Sequence, residues 1–227
     1  MKTRRGETES SGKKVSASSP RLLRVSKSIA ALEFEKLAAL DGFQFAAGVD
    51  EVGRGCLAGA VVAAAVILDL NKPLPKGLND SKKLTANQRT RIAEEIRQTA
   101  VCFSVAQIEA AEIDRINILQ ATKKAMIAAV EQLVPAADFL LIDAVNLNNC
   151  VLPQKSIIGG DAVCASIAAA SVLAKVYRDT MMRELDRVYP EYGFVRHVGY
   201  GTKEHFEAIR KHGPCDLHRK SFKGVVS

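Results

Sequence analysis

The sequence predicts an α/β fold, and three observations predict it. Short apolar runs of strand length, bounded by glycines or charges, occur at 45–49, 56–68, 101–106 and 139–142. Between and after them stand segments with a helical apolar period, at 87–99 and 117–134, and an Ala- and Ser-rich stretch from Ala162 to Val188. The composition, 48% hydrophobic and 25% charged over 227 residues, is that of an ordinary globular chain able to bury a core. Strand and helix signals interleaved in this way belong to a sheet covered by helices.

In chain order, residues 1–26 are rich in Ser, Lys and Arg without apolar periodicity, and are expected to be disordered and outside the fold. Ile29 to Leu40 reads as a short amphipathic helix with Leu32, Leu37 and Leu40 as its apolar face and Gly42 as its stop. Phe45 to Val49 is a strand that delivers Asp50 and Glu51. A second strand follows the Gly53-Arg54-Gly55 turn, antiparallel to the first. Pro73, Pro75 and Gly77 mark a surface loop, and Asn79 to Lys83 a polar turn. Thr85 is the expected N-cap of a helix over 87–99, with Ile92 and Ile96 one turn apart. Val101 to Ala106 is a third strand. Asn117 to Val134 is a helix with Leu119, Met126, Val130 and Leu133 on one stripe, ended by Pro135. Phe139 to Ile142 is apolar throughout, as in a strand covered on both faces, and ends on Asp143. Ile157-Ile158 is an edge strand closed by Gly159-Gly160. A long helix spans Ala162 to Val188, its small residues permitting close approach to a sheet. Tyr189 to Thr202 is a loop, and Lys203 to Lys211 a last helix.

Charge and cysteine content narrow the function classes. The net +7 is unevenly placed: residues 1–28 hold eight Lys or Arg against two Glu, and residues 196–223 hold seven against three acids, while 29–195 holds 17 against 20. An acidic body between two basic ends fits a polyanionic partner. The longest uncharged apolar runs, Cys56–Leu68 and Ala162–Ala174, are 13 residues each, too short to cross a bilayer, and no apolar core follows the basic N-terminus as in a secretory signal. Five cysteines without a Cys-x-x-Cys pair read as reduced thiols of a cytoplasmic protein. One metal-like spacing, His212-x-x-Cys215-x-x-His218, lacks a fourth ligand and reads as structural.

Asp50, Glu51 and Asp143 each end an apolar strand, and if those strands are parallel neighbours their C-terminal ends converge. Asp161 follows Gly159-Gly160 and opens a helix, where a carboxylate gains from the dipole. Charged groups at the lip of a buried strand are costly unless neutralised, and a hard divalent cation would do so through oxygen ligands. Adjacent strand residues point to opposite faces, so Asp50 and Glu51 meet one ion only if the strand stops or bulges at Glu51.

These residues also carry a resemblance. Gly48-Val-Asp-Glu-Val-Gly-Arg-Gly55, Asn79-Asp-Ser-Lys-Lys-Leu84, the block from Ser166 to Asp179, and Tyr192-Gly-Phe194 with His197-Val-Gly-Tyr-Gly-Thr202 resemble, in order, the motifs of prokaryotic ribonuclease HII. The resemblance implies a ribonuclease H-like mixed sheet flanked by helices over 27–190, with residues 191–227 as a substrate-binding loop and helix packed on it as a helical C-terminal extension. It implies a monomeric endoribonuclease that acts on RNA–DNA hybrids and on duplex DNA carrying single ribonucleotides, cut on their 5′ side. Asp50, Glu51, Asp143 and Asp161 would be both catalytic and metal-binding, holding Mn²⁺ or Mg²⁺, one ion without substrate and two with it. Gly53, Arg54 and Gly55 would approach a 2′-hydroxyl, with Tyr200 nearby. Ser81, Lys82 and Lys83 look like phosphate contacts, extended by Arg196, His197, Lys203 and Arg219. Cys56, Ala60, Gly159, Ala144 and Val198 depart from the family's usual residues, and none of them is a carboxylate position. A junction-resolving or strand-transfer enzyme on a similar sheet, and a silent hybrid-binding protein, remain alternatives.

Overall fold

The computed structural model describes residues 30–226, so the expected basic tail at 1–26 lies outside the described residues. Five strands form one mixed sheet in the order β3-β2-β1-β4-β5, with β1 Ala46–Val52, β2 Val61–Ile67, β3 Cys102–Ile108, β4 Phe139–Asp143 and β5 Gln154–Ile157. The first three pair antiparallel, whereas β1–β4 and β4–β5 are parallel. The helices are α1 Glu33–Leu40, α2 Ala86–Thr99, α3 Ala110–Ile116, α4 Ile118–Glu131, α5 Gly160–Val163, α6 Ala165–Val188, α7 Phe194–His197 and α8 Lys203–His212. The strands on either side of the Gly-Arg-Gly turn, the third strand, the covered strand ending at Asp143 and the edge strand near Ile157 all form as expected.

β2 is buried at every position because both faces of the sheet are covered. Alternate residues feed two cores. Val62, Ala64 and Val66 face α2 and α6 with Ile92, Ile96 and Ala169. Ala63, Ala65, Ile67 and Val49 face α4 with Met126 and Val130. α6 lies very close to β1: a Cβ on Gly48 would come 2.1 Å from the Ser166 carbonyl carbon. Thr85 caps α2 through a capping box with Gln88. A third cluster, Leu57, Met182, Tyr192, Phe194 and Ile209, joins α7 and α8 to the end of α6.

Four expectations need correction. The helix over Ile29–Leu40 is shorter, and Leu37 and Leu40 are exposed while Glu35 and Ala38 are buried. The stripe of α4 excludes Leu119, which is exposed, and starts at Ala121. The helix predicted over Ala162–Val188 is broken at extended Cys164. There Ala31 forms a parallel bridge with Cys164, its carbonyl accepts from the Ala165 N–H, and Glu35 Oε1 accepts from the Ser166 N–H at 2.7 Å. The buried glutamate thus caps α6, which explains why α1 turns an acid inward and leucines outward. Finally, β1 neither stops nor bulges at Glu51, since its pairing with β2 runs through Glu51↔Ala63 to Val52↔Val62.

Candidate active site

The parallel register is what assembles the site. Gly48 pairs with Leu141 and Val49 with Ile142, so Asp50 and Asp143 follow side by side at the carboxyl ends of β1 and β4. Both lie on the α6 face, by alternation from Gly48 and Leu141. The Asp50 carboxylate is buried, lies against the Ser171 side chain of α6 and accepts from the Glu51 N–H at 2.8 Å. Burial raises its pKa well above the usual carboxylate range. The negative charge of Glu51, and then of Asp143, adds to that shift, which the Ser171 side chain opposes.

Asp143 Oδ1 accepts from the Gly160 N–H at 2.8 Å, which fastens the end of β4 to the turn that carries Asp161. Burial raises the Asp143 pKa, the Gly160 bond opposes it, and Asp161 raises it further. Asp161, buried on α5, takes the Lys82 ammonium at 3.0 Å. Burial works to lower the pKa of Lys82, but the bond to Asp161 and the charges of Asp161, Asp80 and Asp50 raise it on balance. Glu51 is the outlier of the set, since an unbroken β1 turns it away from Asp50. Burial raises its pKa, Arg54 at 3.1 Å restrains it, and Asp143 adds to the rise. Its second oxygen, Oε2, is buried without a hydrogen-bond partner.

The charge of Asp143 thus acts on both Asp50 and Glu51, and that of Asp161 acts on Asp143. Among the described residues, no three His, Cys, Asp or Glu side chains converge as a ready ligand set for one ion. The protein's own cations stand there instead, Lys82 on Asp161 and Arg54 on Glu51. The donor set still suits a hard divalent cation: every donor is a carboxylate oxygen, burial and mutual repulsion raise three of them, and the Glu51 orphan oxygen lacks a partner.

The expected substrate contacts divide into two groups. Lys82, Lys83 and Tyr200 are exposed, and Arg54 keeps its side chain 43% exposed while it pairs with Glu51. Tyr200 is tied to the turn by an antiparallel bridge with Cys56. Gly53 has φ +90°, a conformation glycine adopts freely. The others are held by the protein's own groups. Ser81 is buried and bonds Ser171 at 2.9 Å, supporting the serine that lies against Asp50. His197 is buried, with Nε2 on the Tyr192 carbonyl and Nδ1 accepting from the Gly199 N–H. Arg219 is fully buried against main-chain carbonyls. Arg196 and Lys203 are exposed and face Glu204 and Glu207.

Several neighbours of the site escaped the sequence. Ser171 and Arg178 sit on α6, and Asp179 there draws in Lys175 at 2.7 Å and Arg89 at 3.8 Å. The signal for Arg178 was available: its i−4 and i+4 neighbours, Ala174 and Met182, are apolar, which places a guanidinium on the buried stripe of a helix.

Comparison with known proteins adds sequence and fold relatives. The family model described as Ribonuclease HII matches residues 47–225. The chain is 54% identical over 205 residues to a ribonuclease HII of Desulfitobacterium hafniense, covering 90% of this chain and 78% of the relative. It is 55% identical over 184 residues to one from Solibacter usitatus, covering 81% and 80%. The fold is similar to ribonuclease H2 from Pyrococcus horikoshii, with a TM-score of 0.67 at 24% identity over 80% of this chain and 95% of that one. It is also similar to the RNase HII chain of a PCNA:RNase HII complex from Archaeoglobus fulgidus, with a TM-score of 0.69 at 24% identity over 79% and 96%. A Bst-RNase HIII structure in complex with Mn²⁺ scores 0.61 at 22% identity, over 80% of this chain and 68% of that one.

Proposed function

The chain belongs to the ribonuclease HII family, and on that premise we propose that it hydrolyses the RNA strand of RNA–DNA hybrids and nicks duplex DNA on the 5′ side of single ribonucleotides, leaving 3′-hydroxyl and 5′-phosphate ends. What supports this reading is the parallel β1–β4 register, which sets Asp50 beside Asp143, together with the Gly160 N–H bond that fastens Asp143 to the turn carrying Asp161.

Each residue has work that its surroundings support. Asp50, set against Ser171, and Asp143, held by the Gly160 N–H, are the fixed oxygen donors of the centre. Asp161 and Glu51 complete it and are paired meanwhile with Lys82 and Arg54. Mg²⁺ or Mn²⁺, bound by these carboxylates, would lower the cost of deprotonating the attacking water and of charging the departing 3′ oxygen. Lys82, whose side chain is 77% exposed, can exchange Asp161 for a substrate phosphate. The Gly53-Arg54-Gly55 turn brings main-chain groups close to the strand being cut, where a 2′-hydroxyl distinguishes RNA from DNA. Tyr200, bridged to Cys56, stands beside that turn.

The test is incubation with duplex DNA bearing one embedded ribonucleotide, with and without Mg²⁺ or Mn²⁺. Metal-dependent nicking 5′ of the ribonucleotide is expected. Cutting of all-DNA junctions instead, or binding without cutting in either metal, overturns the proposal.

A further inference from the structure

Two arginines far apart in the chain are fully buried, and among the described residues neither forms a salt bridge. Arg178 of α6 donates from Nε to the Ala60 carbonyl at 3.0 Å, from Nη2 to Ala58 at 3.0 Å and from Nη1 to Val198 at 2.8 Å. Arg219 donates to the Arg54 carbonyl at 2.9 Å and twice to Gly59, at 3.0 and 2.8 Å, while the Phe222 ring lies 5.1 Å from its guanidinium. Its main-chain N–H also holds the Leu57 carbonyl. Burial, helped by the charge of Arg178, lowers the Arg219 pKa to about 10, which leaves it a cation at neutral pH.

Buried charges are normally paired, and a core that needed only packing would use apolar side chains here. What the two guanidiniums do instead is gather carbonyls. Those of Arg54, Leu57, Ala58, Gly59 and Ala60 all turn to one of the two arginine residues, and the Val198 carbonyl joins them. Val198 has φ +43°, a left-handed conformation unfavourable for a β-branched residue, and its carbonyl bond to Arg178 helps hold it two positions before Tyr200. Meanwhile the N–H groups of Arg54 and Gly55 donate to no partner among the described residues.

We propose that Arg178 and Arg219 are positioning residues for ribonucleotide recognition: by holding the carbonyls of Arg54, Ala58, Gly59, Ala60 and Val198, their side chains fix the Gly53-Arg54-Gly55 turn and Tyr200 relative to each other and leave the turn's N–H groups free for substrate. The inference rests on the function proposed above. Lysine keeps the charge but lacks the planar fork whose separate nitrogens reach separate carbonyls, so Arg178→Lys and Arg219→Lys isolate the geometry.

The experiment measures KM for nicking the single-ribonucleotide duplex and Ki for the same duplex made wholly of DNA. The ratio of Ki to KM should fall about tenfold or more in both variants, as ribonucleotide-specific contacts weaken while general phosphate contacts stay. Phe222→Leu, a milder loosening of Arg219, should lower the ratio in smaller measure and serves if either lysine variant fails to fold. Ile209→Val, in the same apolar cluster, should leave it unchanged. A ratio unaltered in the folded variants, or lowered equally by Ile209→Val, overturns the inference. Failure of the unaltered protein to nick the duplex refutes the functional reading instead, and is seen before any variant is made.

Discussion

Replacing Gly48 by Ala tests the packing that places the catalytic face. The added Cβ would stand 2.1 Å from the Ser166 carbonyl carbon, 2.4 Å from the Ile167 nitrogen and 2.5 Å from Ser166 Cβ. Ordinary contact begins near 3.4 Å, so α6 and β1 must part by about 1.3 Å. The obstruction is backbone on both sides, with no flexible side chain to yield. Overpacking of this kind costs about 3 kcal/mol, the upper end of its usual range. For a chain of this size that lowers the unfolding midpoint by about 6–12 °C. The separation also draws Ser171 away from Asp50, and a shift of about 1 Å in a reacting group lowers turnover by about 100-fold. Calorimetry of Gly48→Ala beside Gly55→Ala supplies the comparison, since a Cβ on Gly55 meets nothing within 4 Å and its midpoint should not move. A midpoint for Gly48→Ala within about 2 °C of the parent would refute the claim that the α6–β1 contact fixes the site.

Three further outcomes are expected. Asp143→Asn keeps an oxygen for the Gly160 N–H, so the fold and hybrid binding should survive while nicking in Mg²⁺ is lost, and normal turnover would remove Asp143 from the metal centre. Lys82→Ala should flatten the dependence of log binding constant on log salt by about one unit, and an unchanged slope would leave Lys82 as a partner of Asp161 alone. His205 is buried against the His197 ring and bonds His218 Nε2 at 3.1 Å. Burial, opposed by the Tyr200 carbonyl and reinforced by the two histidines, lowers its pKa from 6.5 to about 4. The unfolded chain then binds the extra proton first, so this stability is full above pH 6.5 and is lost as pH falls towards 4, about 3 kcal/mol in all. Denaturation curves of the parent and His205→Gln across that window should converge by this amount, and parallel curves would contradict it.

Much of the site was legible because its signals are local. Strand-terminal carboxylates, a glycine-bracketed arginine and a threonine just ahead of a helical stretch announce themselves within a few positions, and the order of the motifs carried the family resemblance. The β1–β4 neighbour relation was foreseen as a condition, and the register met it. What stayed hidden depends on partners distant in sequence. Nothing near Glu35 says that it caps a helix 131 residues later, and nothing near Cys164 says that Ala31 interrupts the helix there. Ser81, His197 and Arg219 looked like substrate contacts because their residue types suit phosphate. Burial, which a sequence does not display, turned them inward.

The sequence by itself therefore determined the strands and most of the helices, through periodicity and residue chemistry that act over single turns, and the family resemblance singled out the four acids. Only the tertiary structure decided which polar side chains meet solvent and which hold the frame. That choice follows from how closely α6 lies on β1 and from which carbonyls the buried guanidiniums reach, and both are set by contacts between segments more than a hundred residues apart.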